Sequence, residues 1–349
     1  GRDASYFDIK PQAVVRPQTV DEIRQLLAMA AENRIGVTFR TGGTSLCGQS
    51  VNTGIICELR TGWHDYEVRP GGTKVWFQTG ITAQRLNAGL KPYGHKIGPD
   101  PASSCAAMMG GILSNNSSGM EAGVRHNSYH TLSSIEFVLA NGHRYISSVE
   151  ADRKRFCDDE RELAAGLAEI RREILADPET TEKITRKYKI KNVTGYAMNS
   201  FVDYEHPMDI FAHLLIGSEG TLAYIVAGEL NTIPLYTDYS SAMLYFDSVT
   251  SAAAQAKYLG DTGALAVEMM DYASLCSYLG KRADLPPGTT AMLIDYGGSS
   301  AAELADTTGS LTPGLKKLRG LTRMDPFTTT VKERADLWAM RNGIFPCVA

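Results

Sequence analysis

From Val37 to Gly48 the chain reads Val-Thr-Phe-Arg-Thr-Gly-Gly-Thr-Ser-Leu-Cys-Gly, a β-branched and aromatic run that feeds into two glycines with hydroxyl side chains behind them. A strand that ends in such a turn aims several backbone N–H groups at one point, which suits a phosphate or pyrophosphate. Paired glycines let a ligand meet backbone rather than a Cβ. The chemistry indicated is the anchoring of a nucleotide cofactor. The plain alternative is a tight turn between two strands.

Three phosphate-binding designs can be compared with it. A Walker A loop has the spacing of Gly43 to Ser50, but Gln49 stands where that loop needs its lysine. Val51 to Leu59 also reads as a strand, not the required helix. A dinucleotide fingerprint needs G-x-G-x-x-G opening a helix, and neither the spacing nor the helix is present. A strand–loop–strand whose loop alone wraps a pyrophosphate fits.

Two further glycine-rich stretches follow. Gly98-Pro99-Asp100-Pro101-Ala102-Ser103-Ser104 leads to Met109-Gly110-Gly111-Ile112-Leu113-Ser114-Asn115-Asn116-Ser117-Ser118-Gly119, which reads as a flexible loop of small residues hugging a flat, polar ligand. Gly217-Ser218-Glu219-Gly220-Thr221-Leu222 is a turn between two apolar runs. Three such turns in order indicate a long ligand touched at several places.

In this order, R-T-G-G-T-S, G-P-D-P-A-S-S with G-G-I-L-S-N-N-S-S-G, and G-S-E-G-T-L resemble the FAD-linked oxidases of the vanillyl-alcohol oxidase type, within them the D-lactate and D-2-hydroxyglutarate dehydrogenase branch. Asp3-Ala4-Ser5, Pro11 to Pro17, Asp21-Glu22-Ile23 and Lys191 to Tyr196 follow the same pattern. The extra residues from Ala197 to Ala212 resemble the long members fused to an iron–sulfur domain. The likeness runs from about Asp3 to Phe345.

That resemblance implies an α+β protein: a PCMH-type FAD-binding domain of two α/β subdomains, then an incomplete ferredoxin-like cap. The FAD-binding domain would span 1–234, with subdomains about 1–70 and 71–234 and a helical insertion about 158–190. The partial substrate or cap domain would span 235–349. FAD would be held by Arg40, Thr41, Gly42, Gly43, Thr44 and Ser45, by Pro99 and Ser103, by Gly110, Gly111, Ser114, Asn115 and Gly119, and by Glu219, Gly220 and Ile225. Family members with a covalent flavin often carry histidine where Thr44 stands, so attachment here is expected to be non-covalent. Glu219 reads as structural, a carboxylate capping the glycine amides beside it. Leu337-Trp338-Ala339-Met340-Arg341 resembles the L-W-x-x-R whose arginine binds the substrate carboxylate, which makes Arg341 the substrate-binding candidate.

The implied activity is oxidation of a D-2-hydroxy acid such as D-lactate, with hydride passing from Cα to flavin N5. Electrons would leave to an iron–sulfur domain, a quinone or a cytochrome; an iron–sulfur cluster would belong to a further C-terminal domain. The alternative is an FAD-binding electron-transfer module or subunit whose active site is completed by further sequence or a partner. The family's later H-x-G-D-G-N-type segment, which supplies metal or base, has no counterpart here, so no catalytic base and no metal ligand is assigned. The seven histidines show no metal spacing, and His126 and His130 read as polar loop residues.

Composition is that of a globular protein of 349 residues, long enough for two domains. A net charge of -4 and the absence of a basic aromatic patch argue against nucleic acid. The six cysteines include no C-x-x-C pair and suggest neither a disulfide framework nor a metal set. No transmembrane segment or signal peptide is read, and the expected location is cytoplasmic or peripheral to the membrane.

The elements that must position these loops can be read locally. Thr19-x-x-Glu22 is a capping box opening a helix over Thr19–Arg34, with Val20, Ile23, Leu27 and Ala30 on one face. Thr82–Leu90 reads as a helix after a strand at Val75–Thr79. Asn141-Gly142 marks a hairpin within Thr131–Ser148. After Pro234, alternating strands and helices suggest a sheet with helices on one side.

Overall fold

In the computed structural model, Thr19 opens the first helix as expected: its hydroxyl accepts the Glu22 amide at 3.2 Å. The Glu22 carboxylate reaches back one residue further than in the standard box, to the Gln18 amide at 2.6 Å. The structure describes residues 1–119, 122–280 and 285–348 and divides into two units, Gly1–Pro234 and Leu235–Ala349.

The first unit begins with β1 (Ala13–Val15), α1 (Val20–Glu32), β2 (Val37–Arg40) and β3 (Ile55–Glu58), a parallel sheet of order β1-β3-β2. Ile23 and Leu26 of α1 pack with Ile55 and Cys57 of β3. Burial pushes the Cys57 thiol up to about 12, so it acts as a small apolar residue.

Next come β4 (Tyr66–Val68), β5 (Lys74–Gln78), α2 (Ala83–Leu90), β6 (His95–Ile97), α3 (Met109–Asn115), α4 (Ser128–Thr131), β7 (Leu132–Val138) and β8 (Arg144–Ile146). Then follow α5 (Glu150–Asp159), α6 (Arg161–Ala176), α7 (Pro178–Lys187), α8 (Ser200–Asp203), α9 (Pro207–Leu215) and β9 (Tyr224–Pro234). The larger sheet is antiparallel, in the order β4-β5-β9-β7-β8, with β6 pairing the far end of β9. The β7–β8 connection is wider than a two-residue hairpin. The Leu139 amide bonds the His143 carbonyl at 2.9 Å, and Gly142 alone takes a left-handed φ, of 86°.

Strand β9 is buried on both faces: Ile225 and Leu230 join a core with α2, α3, α6 and α9, while Tyr224 and Val226 join the core under the small sheet. That shared strand binds the two subdomains. The helical stretch α5 to α7 is more than a surface addition, because Phe156, Leu167 and Ile174 bury into the larger core.

Met109 to Asn115, expected as a flexible loop, is helix α3. Met109, Ile112 and Leu113 are buried along it. Its glycines sit where side chains have no room, since a Cβ at Gly110 would lie 2.8 Å from Thr79 Cβ and 3.1 Å from Thr41 Cγ2. Packing overrides the low helix propensity of the glycines.

The second unit contains β10 (Asp238–Phe246), α10 (Val249–Asp261), β11 (Ala266–Met270), α11 (Tyr272–Leu279), β12 (Thr290–Gly298), α12 (Ala301–Leu315), β13 (Leu321–Met324) and α13 (Val331–Val348). Its antiparallel sheet has the order β11-β12-β10-β13. Helices cover both faces, which corrects the expectation of one. Ala242, Leu244 and Phe246 meet α10 and α12, and the alternate residues Met243 and Tyr245 meet α11 and α13. The unbroken apolar run of β10 is the signature of a strand buried on both sides.

The start of α13 is fixed by a buried charge. Arg334 Nη2 lies 3.2 Å from Asp295 Oδ1, Arg334 Nε donates to Ser241 Oγ at 3.0 Å, and the Asp295 side chain is 2 % exposed. Replacing Arg334 with Ala leaves a buried carboxylate short of its cation. We expect a loss of about 3 kcal/mol in the stability of the second unit, read as a lower urea midpoint. An unchanged midpoint would show that Asp295 is satisfied without the arginine.

Candidate functional site: a cleft within the first unit

The small sheet and the larger sheet of the first unit enclose a cleft of about 350 Å³, within the size range of cofactor sites. Its walls come from Phe39 and Leu59 on one side, from α3 on another, and from Ala223, Tyr224 and Ile225 at the start of β9. The glycine loop after β2 lies along it.

That loop is half-buried, and its conformation is set by contacts that exclude side chains. A Cβ on Gly42 would stand 2.4 Å from the Ala106 carbonyl oxygen, so loop backbone lies directly on the backbone of the 103–108 segment. Gly43 takes a φ of 66° and its carbonyl accepts the Ala4 amide at 3.1 Å. Among the described residues, the amides of Gly42, Gly43, Thr44, Ser45 and Leu46 donate to no protein acceptor. Consecutive unpaired donors, those of Gly43 to Leu46 on residues that line the cleft, suit an anionic ligand group.

The structure brings most of the expected residues together. Thr41, Gly43, Thr44 and Ser45 line the cleft, as do Ser103, Gly110, Gly111, Ser114 and Asn115, and from the third turn Glu219, Gly220 and Ile225. Arg40, Gly42, Pro99 and Gly119 stand outside the lining. Arg40 turns away to the Arg2 carbonyl at 2.6 Å. Gly119, at a φ of 82°, bridges to Asp100 and closes the second loop. The Ser45 hydroxyl is engaged with the Gln49 side chain and accepts the Gln49 amide at 3.1 Å, so it braces the loop from within.

Glu219 departs from expectation. Its carboxylate caps no glycine amide among the described residues; Oε1 accepts Asn115 Nδ2 at 2.6 Å, and Asn115 Oδ1 in turn accepts the Ser117 hydroxyl at 2.7 Å. The Glu219 backbone has a φ of 53°, costly for a residue with a Cβ, and its amide is tied to the Ser114 carbonyl at 2.8 Å. Burial raises its pKa above the ordinary glutamate value, and the bond from Asn115 offsets part of that rise.

Thr79 and Tyr224 were not singled out from the sequence, yet both line the cleft with buried hydroxyls that face each other. Tyr224 packs its ring 4.5 Å from that of Phe39. The available signal was positional: each follows a strand end or begins a strand beside a glycine turn. His126 and His130 do not enter the cleft. His130 sits in α4, its Nδ1 3.0 Å from Asn127 Oδ1, and burial lowers its pKa. Among the described residues, no group of three or more His, Cys, Asp or Glu could hold a metal. Arg341 lies in the second unit, on α13, where Nε donates to Glu268 Oε2 at 2.8 Å.

Unpaired amides at one part of the cleft, buried hydroxyls at another and apolar walls between them fit a long ligand with an anionic centre and a flat ring. Residues 11–147 match the family model described as FAD binding domain. The chain carries an FAD binding domain of the PCMH type. It is 27 % identical over 277 residues to the D-2-hydroxyglutarate dehydrogenase of Pantoea ananatis, covering 77 % of this chain and 27 % of that protein. It is 26 % identical to the D-lactate dehydrogenase of Archaeoglobus fulgidus, over 72 % of this chain and 47 % of that one. The chain therefore spans about a quarter of the D-2-hydroxyglutarate dehydrogenase it matches. Among solved structures, an alkyldihydroxyacetonephosphate synthase shares the fold with a TM-score of 0.58 at 16 % identity, over 94 % of this chain and 55 % of that one. The cleft belongs to the FAD binding domain and to the strand β9 that completes its larger sheet.

Two outcomes follow from this geometry. Gly42→Ala forces the loop off the Ala106 carbonyl; we expect a stability loss of about 1–3 kcal/mol and flavin retention lowered about tenfold or more, measured by fluorescence titration with FAD. Glu219 gives a pH signature in the cofactor-free protein. Its raised native pKa means that the folded state holds the proton more tightly than the unfolded chain. Its contribution is therefore most favourable at low pH and is lost as pH rises through the carboxylate range. Glu219→Gln removes this titration, so the stability of the variant relative to wild type should climb between about pH 4 and neutrality. A flat difference across that range would contradict the burial of the carboxyl.

Proposed function

We propose that the chain is the flavin-holding part of a dehydrogenase of D-2-hydroxy acids, D-lactate-like in substrate class. The observation that carries this reading is the row of unpaired amides in the glycine loop, whose residues Gly43 to Leu46 line the cleft of an FAD binding domain. The names of the relatives from Pantoea ananatis and Archaeoglobus fulgidus support the substrate class.

In this reading the loop amides hold the pyrophosphate, assisted by Thr44. Gly110, Gly111, Ser114, Asn115, Gly220 and Ile225 shape the wall against the ring system, and Thr79 and Tyr224 offer it two hydroxyls. Thr44 has no nucleophilic ring nitrogen with which to form a flavin bond, so the cofactor is held non-covalently. When bound, FAD supplies a hydride acceptor at N5. Arg341 fixes the substrate carboxylate, because a guanidinium presents paired N–H groups to two oxygens. Fixing the carboxylate orients the Cα–H bond, which contributes to the rate, while the hydroxyl proton must pass to a base outside the residues assigned in this chain. Electrons pass to an acceptor other than nicotinamide: an iron–sulfur domain, a quinone or a cytochrome. We place the protein in the cytoplasm or at the membrane periphery; among the described residues no helix is long and apolar enough to cross a membrane.

The test is a visible absorption spectrum of the full chain after loading with FAD and desalting. We expect a retained flavin spectrum, release of the flavin on denaturation, and anaerobic bleaching by D-lactate rather than L-lactate. A chain that retains no flavin would defeat the cofactor reading. Retained flavin that no 2-hydroxy acid bleaches would defeat the dehydrogenase reading alone.

A further inference from the structure

Helix α13 carries two arginines, seven residues apart, that reach the same sheet and are treated differently by it. Arg334 is engaged through two of its three nitrogens. Nε bonds Ser241, Nη2 bonds both oxygens of Asp295, and the guanidinium lies 4.8 Å from the centre of the Tyr239 ring. Arg341 is held by one edge only: Nε donates to Glu268 Oε2 at 2.8 Å, and among the described residues Nη1 and Nη2 have no partner. Its side chain is 28 % exposed and that of Glu268 is 21 % exposed, so the pair is open to solvent and to a small ligand.

The surroundings make this grip directional. Glu268 lies on β11, an edge strand of the sheet, in register with Leu293 of β12. Around it Leu337, Trp338, Met340 and Ile344 of α13 pack against Met243, Tyr245, Met270 and Leu275. The Arg334–Asp295 pair pins the same helix two turns earlier. Both partners of the Arg341–Glu268 pair are thus anchored in a fixed frame. A carboxylate that takes Nε leaves the end of the guanidinium, where two parallel N–H groups match a second carboxylate.

We infer that Glu268 is a positioning residue that holds Arg341 by its Nε edge and presents the terminal nitrogens to the carboxylate of the substrate. This rests on the proposed role of Arg341 as the carboxylate anchor. The sign of the effect separates it from simple electrostatics. Removing the Glu268 charge would by Coulomb's law alone tighten the binding of an anion. Removing a positioning group loosens it, because the freed arginine must be ordered again on each binding event.

The experiment titrates the FAD-loaded full chain with oxalate, a non-reducing carboxylate probe, and follows the difference absorption of the flavin. Glu268→Ala should raise the oxalate dissociation constant about tenfold, with the thermal midpoint and the flavin spectrum of the free protein unchanged. Glu268→Gln keeps an acceptor for Nε without the charge and should stay within about threefold of wild type. Oxalate binding in Glu268→Ala as tight as in wild type, or tighter, overturns the inference, and so does Glu268→Gln as weak as Glu268→Ala. Arg341→Ala separates the two levels. If it leaves oxalate binding unchanged, or if wild type shows no oxalate response, the anchor role of Arg341 has failed. If it abolishes binding while both Glu268 variants match wild type, only the positioning role has failed.

Discussion

Everything in the first unit is arranged around a contact made possible by the absence of a side chain. Gly42 rests its backbone on the Ala106 carbonyl, and this holds the loop after β2 against the 103–108 segment. Backbone groups normally find partners in secondary structure, in turns or in solvent. Here the amides from Gly42 to Leu46 donate to no protein acceptor among the described residues. Their unpaired state leaves a row of donors of the kind that suits an anionic group. The hydroxyl pair of Ser45 with Gln49 and the bond from Ala4 to Gly43 stiffen the same turn from both sides. The binding free energy of a ligand is then not spent on ordering the loop.

Strand β9 is the second requirement. It follows the third glycine turn directly, so any shift in its register would carry Glu219, Gly220 and Ile225 with it. Burial on both faces fixes that register. Ile225 points to one core and Tyr224 to the other, and a slip of one residue would exchange them. The turn itself is stitched to α3, through the Gly217 amide to the Leu113 carbonyl at 3.0 Å and the Glu219 amide to the Ser114 carbonyl at 2.8 Å. The second and third glycine stretches, about a hundred residues apart in sequence, thereby form one wall. Glu219 keeps a strained backbone within this wall, which fits a side chain required for its bond to Asn115.

Much of this was legible in the sequence, for local reasons. Thr19 and Thr82 mark helix starts because a hydroxyl ahead of an apolar period has a definite task there. The strand into R-T-G-G-T-S was legible because β-branched residues followed by paired glycines leave few other structures. What escaped was decided at long range. Helix α3 is concealed by its own glycines, which are present because Thr41 and Thr79 press on them, and no local pattern records that pressure. Tyr224 reads as an ordinary strand residue until the fold places Phe39 beside it. The second unit was misread in one respect: β10 has an apolar run without alternation, and that pattern already requires two covered faces.

The two units solve the problem of holding charge in different ways. In the first, the cleft offers backbone dipoles, which carry no net charge and need no counter-ion. In the second, charge is met by side-chain cations, which need partners at all times. Arg334 bonds Ser241 through Nε and the buried Asp295 through Nη2, and it therefore serves the fold. Glu268 occupies one edge of Arg341 and leaves the rest of its donors unfilled, at a place where both side chains remain partly open. The two arginines are similarly exposed, but the carboxylate under Arg334 is buried at 2 % exposure and the one beside Arg341 is 21 % exposed. Partial pairing keeps the cation oriented without neutralising its capacity for a second carboxylate, and that combination is what a binding group requires.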